Sequence, residues 1–242
     1  EKKETETAID NSIPDFFWKH KKDAIEKFLE KEKGILEMAT GTGKTSTALE
    51  IVRQLIIQQK IDKVIICPNV SKTLCYQWEN ETIEWKSEYN ISRMPLFKHF
   101  DKHKDMQKFL DRQSGILIVN RKPKKLKSAL ENCNLDRTLI IQDEVHGFGS
   151  EGMKEIKGLH KKSKYTLGLS ATPSRIFEPE STKFIFDELG SVIFKFNLDK
   201  AILAGVLCPF NYHPLKVEFT SEERKKRQNI TAHFQASKKG EA

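Results

Sequence analysis

The sequence predicts an α/β domain built on a mostly parallel sheet with helices on both faces. Three observations carry this. Short, largely apolar runs recur along the chain, bounded by glycine, proline or charge, as strands buried on both faces do. Segments with apolar residues at helical spacing lie between those runs, and such alternation is the mark of a parallel sheet. One strand–helix junction is a glycine-containing turn followed at once by Lys-Thr, a sequence that serves phosphate binding between a strand and a helix.

Residues 1–14 read as a polar lead-in ending at Pro14. In "DFFWKHKKDAIEKFLEKEK", Phe17, Ala24, Ile25, Phe28 and Leu29 recur at helical spacing, and Gly34 is expected to end that helix. Ile35–Met38 is a short strand, and 45–58 is an amphipathic helix with Ala48, Leu49, Val52, Leu55 and Ile56 on one side. "KVIIC" is a strand stopped by Pro68, and 71–84 is helical. "GILIV" is a strand leading into a basic loop and a helix to about Asn132. "TLIIQ" and "YTLGLS" are further strands. Beyond about Phe177 the alternation blurs, and the last stretch is highly charged, suited to fraying or to a lone helix. No internal repeat interrupts this order.

At 242 residues, 38% hydrophobic and 31% charged, the chain suits a globular fold with a real core. No apolar run approaches the ~20 residues of a membrane span, and the charged start lacks a signal-peptide core, so the expected setting is cytoplasmic (intracellular), with no membrane partner. Cys67, Cys75, Cys133 and Cys208 form no Cys-x-x-Cys pair, which fits reduced thiols rather than a zinc site. The net charge of +8 is gathered in "KHKK", "RKPKKLK", "KKSK" and "RKKR". That balance favours a polyanionic partner, though any single run is more often a solvated face.

The turn in "ILEMATGTGKTSTALEIV" carries the first chemistry. Backbone N–H groups of Thr40, Gly41, Thr42, Gly43, Lys44, Thr45 and Ser46 can wrap phosphates, helped by the positive end of the following helix. Gly41 and Gly43 permit conformations and close approach that a Cβ would obstruct. Lys44 supplies a cation to the β- and γ-phosphates, and Thr45 a hydroxyl to Mg²⁺. Met38 stands where the strict G-x-x-x-x-G-K-[ST] pattern has its first glycine. A phosphate-hydrolysing site also needs carboxylates, and "TLIIQDEVH" places Asp143 and Glu144 at a strand end about 100 residues later. Asp143 suits metal binding, and Glu144 the orientation or deprotonation of water. The expected ligands are ATP and Mg²⁺, with Glu144, Asp143 and Lys44 as catalytic residues and Thr45 and Asp143 at the metal.

"ATGTGKT", "DEVH" and "LGLSATPSR" together resemble motifs I, II and III of the superfamily-2 DEAD/DEAH-type helicases and translocases. "LAGVLCPF" is most similar to the branch that holds restriction-enzyme motor subunits and repair helicases. The resemblance spans roughly 17–210. It implies a RecA-like P-loop motor domain over 15–206 that couples ATP hydrolysis to movement on DNA or RNA, DNA being favoured, in restriction, defence or repair. It implies that His146, Ser170, Ala171 and Thr172 link the nucleotide site to the nucleic acid. It places Pro68 and Asn69, and then Arg121, Lys122, Lys124 and Lys125, along the nucleic-acid backbone. Family members carry an adenine-reading glutamine where this chain has Lys21, preceded by His20; Phe16, Phe17 and Trp18 are the nearby aromatics, better suited to a core than to base stacking. No Gln/His-x-x-Gly-Arg-x-x-Arg motif follows, so 207–242 is expected to begin the connection to a second RecA-like domain. Glu84-Trp85-Lys86 matches only the tail of a nuclease motif, so no nuclease is expected within this chain, and a nuclease or other subunit is read as a further partner. The competing reading is a non-motor nucleic-acid-binding or scaffold domain with residual nucleotide binding.

Overall fold

A computed structural model describes residues 18–175 and 178–239. The polar lead-in over 1–14, Phe16 and Phe17 lie outside the described residues. Two compact units divide the chain between Leu207 and Cys208.

The first unit is a seven-stranded sheet in the order β3-β4-β2-β5-β6-β1-β7. Its strands are β1 (Lys33–Met38), β2 (Lys63–Cys67), β3 (Leu96–His99), β4 (Gly115–Val119), β5 (Thr138–Asp143), β6 (Tyr165–Ser170) and β7 (Val192–Phe196). Every pairing is parallel, so all C-terminal strand ends share one edge of the sheet. Registers such as Cys67↔Gln142 and Asp143↔Leu169 bring the loops after β2, β5 and β6 side by side.

Helices cover both faces because successive strand residues point to opposite sides. On one face Leu36, Ile66, Ile118, Ile141 and Leu169 pack with residues of α1 (Lys19–Lys31), α2 (Lys44–Ile57) and α3 (Lys72–Glu88). On the other, Ile35, Ile65, Leu117, Val119 and Ile140 pack with α4 (Met106–Leu110), α5 (Pro123–Glu131), α6 (Pro179–Leu189) and short 3₁₀ turns. A last short helix, α7 (Leu198–Leu203), follows β7.

Several expectations need correction. Gly34 does not end α1: Glu32 does so in the left-handed conformation, and Gly34 lies inside β1, where a Cβ would meet Ile193 Cγ2 at 2.5 Å. The amphipathic reading of α2 also fails, since every residue from Thr47 to Ile56 is buried. The polar ones satisfy one another: Glu50 accepts from Arg53 Nε and Nη2 and from Gln54 Nε2, each at 2.8 Å. The basic stretch after β4 is not a loop, because Lys122 caps α5 and Pro123 opens it. β3 and α4 had no counterpart in the sequence reading.

The second unit holds an exposed segment followed by α8 (Ser221–Lys239). Thr220 and Glu223 form a reciprocal cap: Thr220 N donates to Glu223 Oε2 at 2.8 Å, and Glu223 N to Thr220 Oγ1 at 3.3 Å. Among the described residues, no helix is long and apolar enough to cross a membrane.

Candidate functional site

The loop between β1 and α2 is tied down at each end. Ala39 N donates to Phe196 O at 2.9 Å, and the Thr42 hydroxyl donates to Ala39 O at 2.6 Å. Gly41 and Gly43 adopt φ of 84° and 87°, the left-handed region that a side chain resists. Thr42 is buried with its hydroxyl and amide turned onto Ala39, whereas Thr40 and Gly41 are exposed and Gly43 to Ser46 half-buried. Lys44 Nζ reaches back over the loop to Met38 O at 3.4 Å. Met38 itself is the last residue of β1 and fully buried in the core, so its side chain leaves the loop clear.

From α1, His20 Nε2–H donates to Thr42 O at 2.9 Å, and its ring stacks on Phe196 with centroids 4.2 Å apart. Lys21 Nζ donates to Ser46 Oγ at 3.1 Å, and its stem lies against Gly43. Burial lowers the Lys21 pKa from its ordinary value. Trp18 is exposed rather than in the core.

Asp143 and Glu144 end β5 on the same sheet edge. Asp143 is 5% exposed; burial raises its carboxyl pKa, while a hydrogen bond from Trp78 and the charge of Lys44 pull it back down. Trp78 Nε1 donates to Oδ2 at 2.9 Å and the Glu144 amide to Oδ1 at 2.8 Å. Glu144 sits at φ 48°, with Oε2 3.3 Å from His146 Nδ1. Ser170 is buried and its Oγ accepts from Thr172 N at 3.1 Å, which shapes the turn through Ala171.

Arg121 departs from its expected role. It is 3% exposed, and its guanidinium donates to the carbonyls of Pro68, Asp143 and Glu144, the last at 2.9 Å. A guanidinium held by three carbonyls inside the fold is not presented to an outside phosphate. Pro68 is likewise buried, and Asn69 half-buried. Lys122 and Lys124 are exposed, while Lys125 is half-buried with Nζ 3.4 Å from His99 O. Sequence reasoning also missed Trp78, since a tryptophan at a core-facing helix position carries no sign of a polar partner.

The residues fit a magnesium nucleotide. Two left-handed glycines shape a turn of main-chain amides at the start of α2, a lysine stands over it, and a buried carboxylate feels that lysine's charge. Among the described residues no three His, Cys, Asp or Glu converge. A metal here would therefore take Thr45, Asp143, phosphate oxygens and water, the mixed shell Mg²⁺ favours.

The family model described as "Type III restriction enzyme, res subunit" matches residues 15–175. The chain is 26% identical over 210 residues to "DNA 3'-5' translocase XPB2" of Sulfurisphaera tokodaii, covering 84% of this chain and 41% of that protein. Among solved structures, the Hef helicase domain of Pyrococcus furiosus superposes with a TM-score of 0.58 at 19% identity, over 73% of this chain and 37% of that one. The UvsW helicase of bacteriophage T4 gives 0.55 at 16% identity, over 74% and 60%. The structural likenesses establish the fold, and the chain spans less than half of the curated relative.

Proposed function

This chain belongs to the family of type III restriction enzyme res subunits, and from that premise we propose that it is the nucleotide-binding half of a nucleic-acid-dependent ATPase that moves along DNA or RNA. The observation that carries the reading is the meeting of the Gly41–Thr45 turn with Asp143 and Glu144 on one sheet edge, close enough for the Lys44 charge to act on Asp143.

In this reading the loop amides and Lys44 take the β- and γ-phosphates of ATP. Thr45 and Asp143 would hold Mg²⁺, which would neutralise phosphate charge. Glu144 orients the attacking water and accepts its proton, with His146 beside its carboxylate. The nucleic-acid backbone lies along the same edge, over Asn69 to Lys72 and the exposed Lys122 and Lys124. DNA is the favoured track, after the name of the translocase relative. A second RecA-like domain supplies an arginine to the phosphates; such an arginine is worth roughly 10³–10⁵ in rate in related systems. A nuclease subunit is compatible with the family but rests on its name alone.

The test is steady-state hydrolysis by the complete protein, with duplex DNA, single-stranded DNA and RNA added in turn. Turnover that rises with one of these supports the reading. Failure to bind ATP, or turnover indifferent to all three, overturns it.

A further inference from the structure

The β2–α3 loop and the carboxylate pair are not merely neighbours; they are bonded through two buried side chains. The loop's outer surface is open: Val70 is 61% exposed, and Ser71, Lys72 and Thr73 are exposed. Its inner surface is fixed. Arg121 N donates to Asn69 O at 3.1 Å, and the Arg121 guanidinium joins Pro68 O to the carbonyls of Asp143 and Glu144. Gly147 leaves the room this needs, since a Cβ there would stand 3.2 Å from Arg121 Nη1. The second link runs through α3, which starts directly after the loop. Trp78, less than two turns in and 1% exposed, places its indole N–H on Asp143 Oδ2. Asp143 Oδ2 and the main-chain carbonyls of both acids are thereby held by groups that move with the loop or with its bonded partner, while Oδ1 accepts from the neighbouring Glu144 amide.

We propose that Trp78 and Arg121 are positioning residues that transmit occupancy of the β2–α3 loop to Asp143 and Glu144. The inference rests on the functional reading above and extends it to regulation of the same site. The physical ground is geometric. Displacing the loop's backbone shifts Pro68 O and the start of α3 together, and packed interiors pass such shifts on rather than absorb them. The recipients are a carboxylate suited to metal binding and one suited to orienting water, whose orientations are set by the donors that hold them. Trp78 and Arg121 need no contact with nucleotide or nucleic acid to do this.

Linkage makes the coupling measurable by binding alone, because a nucleotide that changes nucleic-acid affinity is itself changed by the same factor. The affinity of the complete protein for a short fluorescent duplex DNA, and for RNA of the same sequence, is measured with and without a non-hydrolysable magnesium ATP analogue. Wild type is expected to show a ratio of roughly 5–150, the usual range for coupled sites. Trp78→Phe keeps the ring and removes the N–H. It should bring that ratio toward one, leave nucleotide-free affinity for the nucleic acid unchanged, and weaken Mg²⁺ half-saturation roughly 10-fold, as loss of a partner to a metal-binding carboxylate does. Arg121→Lys, which cannot span three carbonyls, should also collapse the ratio, and it serves if the tryptophan variant fails to fold. A wild type with no coupling, or variants that retain the wild-type ratio and Mg²⁺ dependence, overturns the inference. A wild type that binds neither ATP nor nucleic acid overturns the functional reading as well, so the two failures are distinguishable.

Discussion

Gly43→Ala tests the most specific claim about the phosphate loop, that Gly43 answers to two separate constraints. The first is backbone: at φ 87° a Cβ costs roughly 1–2 kcal/mol. The second is Lys21, whose Cε would lie 2.4 Å and Nζ 2.7 Å from that Cβ. Those atoms are the far end of a flexible chain, so they move aside, but the 3.1 Å bond to Ser46 then breaks. A part-buried hydrogen bond is worth about 0.5–1.5 kcal/mol. Against both stands a gain of about 0.4–1 kcal/mol from the stiffer unfolded chain, leaving a net loss of roughly 0.5–3 kcal/mol. Equilibrium urea unfolding of wild type, Gly43→Ala, Lys21→Ala and the double variant separates the parts. In the Lys21→Ala background Gly43→Ala should cost only the backbone share, giving a coupling of about 0.5–1.5 kcal/mol. A coupling below about 0.3 kcal/mol would show that Lys21 does not lie against the loop. A Gly43→Ala variant as stable as wild type would refute the left-handed geometry itself.

Glu144→Gln in the complete protein should bind ATP normally and lose most turnover, because it keeps shape and removes the base; near-normal kcat would end the assignment. Lys44→Ala should instead weaken ATP binding, seen by titration calorimetry, because it deletes the cation over the loop. Lys122→Ala with Lys124→Ala should weaken nucleic-acid binding across sequences and lower its salt slope by up to about 0.7–0.9 for each phosphate left unneutralised. An unchanged slope would show these lysines merely solvated. His160, fully buried beside Glu188 and Gln142 and within the fields of Lys33 and Arg121, has its pKa pushed down to about 3 by burial. The unfolded chain then binds the extra proton below about 6.5, so stability present above that pH falls on acidification, by up to about 1.4 kcal/mol per unit toward pH 3. His160→Gln should flatten that limb of a stability–pH curve, and parallel curves would refute it.

What the sequence disclosed follows the range of the interactions involved. The phosphate loop and the acid pair are local patterns, each within a few residues of a strand end, and the parallel sheet follows from apolar runs buried on both faces. The four residues of β3, two of them Lys98 and His99, are half-buried on an edge strand and give no such run. α2 defeated its periodicity because it is covered on every side, and Glu50 survives burial only through Arg53 and Gln54 on the same helix. Arg121 sits in a run of basic residues, and a charge count makes it one of five cations. Its true partners are carbonyls 53, 22 and 23 residues away in sequence, on loops that meet only once the sheet is assembled. Trp78 is hidden likewise, 65 residues from the carboxylate it holds.

The departure at Met38 shows how motif and fold divide the work in this loop. A glycine there would relieve nothing in the turn, because position 38 completes β1 and sends its side chain into the core away from the phosphate side. What the loop uses at that position is the carbonyl, which accepts from Lys44. Position 43 is the opposite case: the left-handed backbone resists a Cβ, and the Lys21–Ser46 bond is made across the space that one would take. Two glycine positions of one motif therefore differ in kind. The first is free to become any residue that fits a buried strand end, and this chain fills it with an apolar side chain that adds to the core, while the second is held to glycine by conformation and by contact.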